Sequence, residues 1–247
     1  MDDETRHRLA VTFDQAADVY DRYRPGYPDA ALDWVLAGGE SGADGPSTVL
    51  DLAAGTGKLT RPLVTRGLHV HAVDTSANML AVLRRELPSV DARLGSAEAI
   101  PLPDASVDAV VVGQAFHWFA RPVADAELAR VLRPGGVVGL VWNTDAEDSW
   151  LSMQNLVGRH PRGTDPSEVV LDERWFAPTQ RQSFTHEQQL DLDSIVGLVA
   201  SRSYVIELAA DEREALLARV RRSAQARLGA GEVTLSYTTI TLRATRR

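Results

Sequence analysis

The sequence predicts an α/β chain: a doubly wound, mostly parallel sheet of seven strands with an antiparallel edge strand, an N-terminal helical lid and an insertion after strand five. Three observations carry this. From Thr48 to Asn143, short apolar runs rich in β-branched residues alternate with helical patterns at the spacing of right-handed crossovers. The first run breaks at Gly55 and Gly57 and continues as a helix, the strand–turn–helix unit that receives nucleotide-like ligands. Asp74 then ends the second run, 19 residues past Gly55, where an acid is placed to meet two ribose hydroxyls.

Taken in order, Phe13, Ala16, Ala17 and Tyr20 follow helical spacing and lead into Tyr23-Arg24-Pro25-Gly26-Tyr27-Pro28. Residues 1–37 read either as edge packing or as a lid whose rings and Arg24 close over a ligand. Ala30–Leu36 continues them as a second helix. Thr48–Leu52 is the first strand, with Asp51 near its carboxyl end, where open α/β sheets place their ligands. Gly55 and Gly57 let the backbone come close to a ligand where a Cβ would collide. Pro62 fits only a first helical turn, so a helix begins near Leu59.

The second strand carries Leu68, Val70 and Ala72 and ends at Asp74. Ser76 is placed to cap a helix bearing Met79, Leu80 and Leu83, which stops before Pro88. Val90–Leu94 and the fully apolar Val107–Val112 are strands three and four, and Arg121–Leu132 is a helix. Arg133-Pro134-Gly135-Gly136 turns into strand five, Val137–Val141. Beyond Asn143 the pattern loosens, with Trp150, Trp175 and Phe176 among charges and prolines. A strand (Gln182–Leu190), two helices (Ser194–Ser203, Asp211–Leu228) and an alternating strand (Val233–Leu242) follow, the last of them antiparallel.

Composition bounds the function. The 247 residues suit a single domain, divided as 1–37, a core at 48–143 and a substrate-side part at 144–247. A net charge of −8 argues against a polyanionic partner such as nucleic acid. No run is apolar enough to span a membrane, and the N-terminus lacks a signal-peptide core, so a cytoplasmic location is expected. Zero cysteines exclude disulfides and thiolate chemistry. His69 and His71 share one face of the second strand with no third ligand at useful spacing, so no metal is expected. His7, His160 and His186 have no supporting pattern, and Arg219–Arg222 reads as a solvated helix face.

Five motifs in register then point to a family. They are Asp51-Leu-Ala-Ala-Gly-Thr-Gly57, Ala72-Val-Asp74-Thr-Ser-Ala-Asn-Met-Leu80, Gly95-Ser-Ala-Glu98-Ala-Ile-Pro-Leu-Pro-Asp104, Gln114-Ala-Phe-His-Trp-Phe119 and Arg130-Val-Leu-Arg-Pro-Gly-Gly136. Together they resemble a class I S-adenosylmethionine-dependent methyltransferase with a Rossmann-like sheet, closest to the small-molecule group of quinone-biosynthesis and trans-aconitate-type enzymes. The resemblance covers about residues 10–143. It implies that Asp51 and the Gly55–Gly57 turn face the methionine part of the cofactor and that Asp74 holds the ribose. Thr75 and Ala97 would flank the adenine, and Gln114 would lie beneath the sulfonium. Tyr20 and Arg24 from the lid join the cofactor side. Tyr23, His117, Trp118 and Trp150 are candidates for the acceptor side, with His117 a candidate base because imidazole titrates near neutrality.

Two positions depart from the family pattern. Ala53 replaces the first glycine, a mild restriction on backbone approach. Ser96 stands where many relatives carry an aspartate that accepts from the adenine amino group, and a serine hydroxyl is shorter and neutral; Glu98 nearby is expected to face solvent. A nicotinamide-dependent oxidoreductase shares the glycine turn and ribose acid but would place a small residue at Thr60. A non-catalytic cofactor-binding regulator is the other alternative. No Asn/Asp-Pro-Pro-aromatic element follows strand four, which disfavours nucleic-acid methylation. Trp175, Phe176 and the N-terminal tyrosines suggest an aromatic acceptor wall, whereas Arg24 and Arg121 suit a carboxylate.

Overall fold

The computed structural model describes residues 21–39, 45–145, 166–229 and 231–247. The expected helix through Phe13 and Tyr20, and Trp150 with its surroundings, lie outside these residues. The described chain runs α1 (Asp29–Leu36), β1 (Thr48–Leu52), α2 (Thr60–Thr65), β2 (His69–Asp74), α3 (Ala77–Glu86), β3 (Asp91–Leu94) and β4 (Val107–Gly113). A 3₁₀ turn (Phe116–Trp118), α4 (Val123–Val131) and β5 (Leu132–Asp145) follow. After Pro166 come β6 (Gln180–Leu190), α5 (Leu192–Ala200), α6 (Ser203–Ile206), α7 (Ala210–Leu228) and β7 (Val233–Thr245).

The seven strands form one sheet in the order β3-β2-β1-β4-β5-β7-β6. The first five pair in parallel, and β7 enters antiparallel between β5 and β6 at that edge. Alternation sends Leu50, Val110, Val112, Val138 and Leu140 to one face, against Leu128 and Val131 of α4. Val49, Val111, Val137 and Val141 go to the other, against Leu32 and Val35 of α1 and Leu63 of α2. Gly139 is needed there, since a Cβ would sit 2.8 Å from that of Val35. A third cluster joins β6 and β7 to α5 and α7 through Leu190, Ile195, Leu198, Leu216 and Tyr237.

Local signals act as the sequence predicts. Ser76 Oγ accepts from Met79 N at 3.0 Å, and Pro62 sits in the first turn of α2. Three expectations change. Arg133–Gly136 is not a turn before β5 but lies within it, as an irregularity in the register with β4. It is held there because Arg246 N donates to Gly136 O and Gly135 N to Arg246 O. The Arg121 helix begins two residues later, at Val123. The helix after β6 divides into α5 and α6.

Candidate functional site

The carboxyl ends of β1, β2 and β4 meet on one edge of the sheet, and the turn after β1 faces it. Three alternate turn positions there take positive φ: Ala53 (φ 59°), Gly55 (φ 56°) and Gly57 (φ 91°). For glycine this is free, but alanine at such a position carries strain of order 1 kcal/mol, which native structures accept mainly at functional sites. A Cβ at Gly55 would meet nothing within 4 Å, so this residue faces open space. Gly57 differs from expectation. Its missing Cβ would press on Leu83 of α3 at 3.2 Å and on Leu87, just past the helix end, at 3.3 Å, so it is small for helix packing.

Asp74 binds the turn to β2. Its Oδ2 accepts from Gly55 N and its Oδ1 from Ser76 N, both at 2.8 Å. Asp51 lies fully buried below, with Oδ2 accepting from Thr60 Oγ1 at 2.6 Å and Oδ1 without a hydrogen-bond partner. Burial, opposed by the Thr60 bond and aided by Asp74, raises its pKa to about 7. Between pH 4 and 7 the folded chain therefore holds a proton that the unfolded chain releases, and this group's contribution to stability falls as pH rises. A buried carboxylate with one unpartnered oxygen, beside an open glycine turn and a ribose-ready acid, fits the methionine-to-ribose span of S-adenosylmethionine.

Of the residues expected beside the adenine, Thr75 follows β2 and is exposed, whereas Ser96 and the buried Ala97 sit on the loop after β3, where Ser96 Oγ accepts from Glu98 N at 3.3 Å, closing a turn. Glu98 is not solvent-facing as expected: it is half-buried, and its Oε1 accepts from Ala120 N at 2.7 Å. Arg130 of α4 clamps the same loop, donating to Ile100 O, Leu102 O and Asp104 while paired with Glu127. The third and fifth sequence motifs are thus two sides of one contact.

At the end of β4, Gln114 has φ 60° and its Nε2 donates to Asn143 O at 3.1 Å. β5 overshoots β4 and pairs there only with β7, which places Asn143 as a junction. Its Nδ2 donates to Gly26 O at 2.8 Å and its Oδ1 accepts from Thr239 Oγ1 at 2.6 Å. Thr239 in turn contacts His186 Nδ1 at 3.3 Å, and His186 stacks on Tyr237. His186, without supporting pattern in the sequence, is therefore tied to this network.

The strap 21–28 crosses above. A Cβ at Gly197 of α5 would collide with the Tyr23 ring, and Arg24 Nη2 donates to Ser201 O at 3.2 Å. The Tyr27 hydroxyl would lie 2.6 Å from a Cβ at Gly113. Beneath the strap is a cavity of about 20 Å³ lined by Arg24, Pro25, Tyr27, Lys58, Gln114, Asn143, Arg202 and Tyr237. Of the residues expected at the site, Arg24 and Gln114 reach this cavity, whereas His117, Trp118 and Tyr23 are not part of its lining. His117 is half-buried beside Trp118, and burial lowers its pKa to about 4. Lys58, Asn143, Arg202 and Tyr237 are missed by sequence reasoning. Only Lys58, directly after Gly57, carries a local signal.

Two expectations about the acceptor wall are overturned. Phe176 is fully buried in the core under α4, and it bridges to Arg246, at the end of the sheet remote from Asn143; Trp175 O accepts from Arg247 N beside it. Arg121 does not await a carboxylate: Asp125, almost fully buried, accepts from the Nε–Nη2 edge of its guanidinium, and the guanidinium lies over Phe116. Among the described residues no cluster of His, Asp and Glu could hold a metal ion, and no helix is long and apolar enough to cross a membrane.

Comparison with known proteins identifies the family. A family model described as a methyltransferase domain matches residues 50–140. An uncharacterized methyltransferase of Mycobacterium tuberculosis is 44% identical over 248 residues, covering 98% of each chain. A demethylmenaquinone methyltransferase of Renibacterium salmoninarum is 38% identical over 135 residues, 50% of this chain and 56% of its own. Among solved structures, one from Anaeromyxobacter dehalogenans, described as a candidate type II methyltransferase, superposes with a TM-score of 0.67. It is 27% identical and covers 91% of this chain and 98% of its own.

Proposed function

The chain belongs to the class I S-adenosylmethionine-dependent methyltransferases, and we propose that it methylates a small-molecule acceptor by in-line displacement. The observation that carries the small-molecule reading is the narrow cavity beside Gln114, covered on the strap side by Arg24, Pro25 and Tyr27. Such a roof suits a metabolite that is closed in, not a polymer that must pass through. The relative named for demethylmenaquinone, a small molecule, supports the same class.

S-adenosylmethionine, when bound, supplies a methyl group on a positively charged sulfur, which leaves with the bonding pair. The chain's task is then placement, worth about 7–11 kcal/mol where alignment is good. On this reading Asp74 holds the ribose, with Thr75, Ala97 and Ser96 around the adenine. Asp51 receives the methionine end, at the turn of Ala53, Gly55 and Gly57. Gln114 orients the reacting end from below, with its side chain fixed on Asn143 O. Arg24, with Tyr20 and Tyr23, belongs to a lid that includes the strap. His117, with Trp118 and Trp150, faces the acceptor. His117 is neutral at physiological pH because of its burial and can take a proton from a hydroxyl or amine acceptor.

A cavity of about 20 Å³ holds one water and no metabolite, so the strap must lift for turnover. Turnover of methyl-labelled S-adenosylmethionine against a metabolite panel, with S-adenosylhomocysteine binding by calorimetry, tests the function. Transfer to one small molecule and none to tRNA or DNA is expected. Failure to bind S-adenosylhomocysteine, or transfer to nucleic acid alone, overturns it.

A further inference from the structure

We propose that His186 is a positioning residue for the strap: with its hydrogen on Nδ1 it fixes Asn143 through Thr239, and Asn143 holds Gly26 over the candidate site. The proposal rests on the methyltransferase reading only for what the strap covers. Of the three side chains, Asn143 alone lines the cavity beneath the strap, so His186 and Thr239 act through it.

The direction of each hydrogen is forced from the strap end. Gly26 O can only accept, so the Asn143 amide turns its nitrogen to it at 2.8 Å and its Oδ1 to Thr239. Oδ1 can only accept as well, so the Thr239 hydroxyl gives it its one hydrogen, at 2.6 Å. Thr239 Oγ1 is then an acceptor toward His186, 3.3 Å away, and the hydrogen between them belongs to Nδ1. Register supplies the geometry: Asn143 of β5 lies opposite Thr239 of β7, and His186 of β6 lies opposite Tyr237, two residues along the same face. The three bonds all point from β6 toward the strap, and bonds aligned in this way strengthen one another.

The other ring nitrogen shows what the imidazole contributes. Nε2 is buried and has no hydrogen-bond partner among the described residues. Burial lowers the pKa of His186, so the ring is neutral near pH 7 and Nε2 is an unsatisfied acceptor, which costs stability. The ring also stacks on Tyr237, with centroids 5.3 Å apart. A phenyl ring would keep that stack without the unsatisfied nitrogen, and what it lacks is the Nδ1 donor. Packing alone therefore favours phenylalanine here, and the imidazole helps only through the relay. At the other end, Gly26 lies between Arg24, which donates to Ser201 O, and Tyr27, which reaches Gly113 at the end of β4. Holding Gly26 holds the strap residues that cover the cavity.

Variants of the full chain, free of ligand, test this. His186→Phe keeps the ring and removes the donor, whereas His186→Asn keeps an N–H donor in place of Nδ1 and removes the ring. Tryptic cleavage at Arg22–Tyr23, followed by the mass of the fragment that begins at Tyr23, reads strap opening. A protease takes an extended segment, and Tyr23 must first leave Gly197 of α5. His186→Phe is expected to speed this cut about fivefold, the effect of losing one such bond, while its thermal midpoint stays level or rises. His186→Asn should be cut within about twofold of the wild-type rate although its midpoint falls. In the nitrogen-15 spectrum of histidine-labelled chain near pH 7, the signals that vanish in His186→Phe should be those of a neutral ring protonated on Nδ1. If His186→Phe does not fold, Thr239→Val, which keeps the side-chain shape and breaks the relay, carries the same cleavage criterion.

The proposal is overturned if the variant lacking the relay is cut at the wild-type rate, or if cleavage merely follows the thermal midpoint across the variants, as a packing role predicts. A His186 ring that is charged or protonated on Nε2 near pH 7 overturns it too. Failure of the wild type to bind S-adenosylhomocysteine would instead overturn the methyltransferase reading. The cleavage and spectral measurements use the free chain and still decide the role of His186.

Discussion

The two halves of the candidate site are built in opposite ways. On the half around the glycine turn, Asp51, Gly55, Asp74 and Ser76 come from two adjacent parallel strands and the turns that follow them, with Asp74 bonded to the Gly55 and Ser76 amides and Asp51 to the Thr60 hydroxyl. Around the cavity beneath the strap, Arg24 meets Ser201 across 177 residues of chain, Asn143 meets Gly26 across 117, and Thr239 meets Asn143 across 96. On the proposed reading the first half recognises a ligand common to the whole family, so it can be made from short-range pieces that any such chain repeats. The second must fit one acceptor, and it is assembled from long-range contacts that differ from chain to chain. If the division is right, substitutions on each half fail in different assays.

The largest expected effect is at Gly55. A valine there is forced to φ 56°, at a cost of about 1–3 kcal/mol in fold stability, and its side chain occupies the open space over the turn. Gly55→Val should leave no measurable S-adenosylhomocysteine binding by calorimetry. Retained binding would mean that the turn does not face the cofactor.

His117 comes next and belongs to the other half. If it takes the acceptor's proton, His117→Ala should lower kcat roughly a hundredfold, the low end of the range for base catalysis, because a group with pKa about 4 has little driving force. Cofactor affinity should not change. Burial favours the neutral imidazole, so activity should be lost only as pH falls toward 4, not near 6.5. A loss below tenfold, or an acidic limb near 6.5, removes His117 from proton transfer.

Asp74→Ala should weaken S-adenosylhomocysteine by about 1–3 kcal/mol through lost charged hydrogen bonds to ribose. It should also lower the unfolding midpoint of the free chain, since Gly55 N and Ser76 N lose their acceptor. A change in acceptor KM with cofactor affinity intact would break the comparison.

The smallest effect sharpens it. Asn143→Ala removes the bonds to Gly26 and Thr239 but keeps the carbonyl that receives Gln114. About 1 kcal/mol, or five- to tenfold in kcat/KM for the acceptor, is expected, with S-adenosylhomocysteine binding within twofold. Equal loss in both assays would show that the halves are coupled through Gln114.

The sequence by itself determined the strands and helices of the sheet, the cap at Ser76, the turn at Gly55 and the placement of Asp74. These follow from alternation, capping and glycine backbone freedom, which act within a few residues and leave a periodic trace. Even there, the packing of Gly57 on α3 and the strained backbone of Ala53 needed coordinates, because neither leaves a pattern of its own. The meeting of Arg24, Lys58, Asn143, Arg202 and Tyr237 was decided by the tertiary structure alone. Nothing near Arg202 in the chain marks it as a cavity residue, and nothing near Tyr237 separates a cavity wall from an ordinary strand position. What joins them is the insertion of β7 beside β5 and the packing of α5 against the strap, contacts between segments up to 177 residues apart. Such contacts form because distant apolar faces are buried together, and the local sequence records that a face is apolar but not which partner covers it.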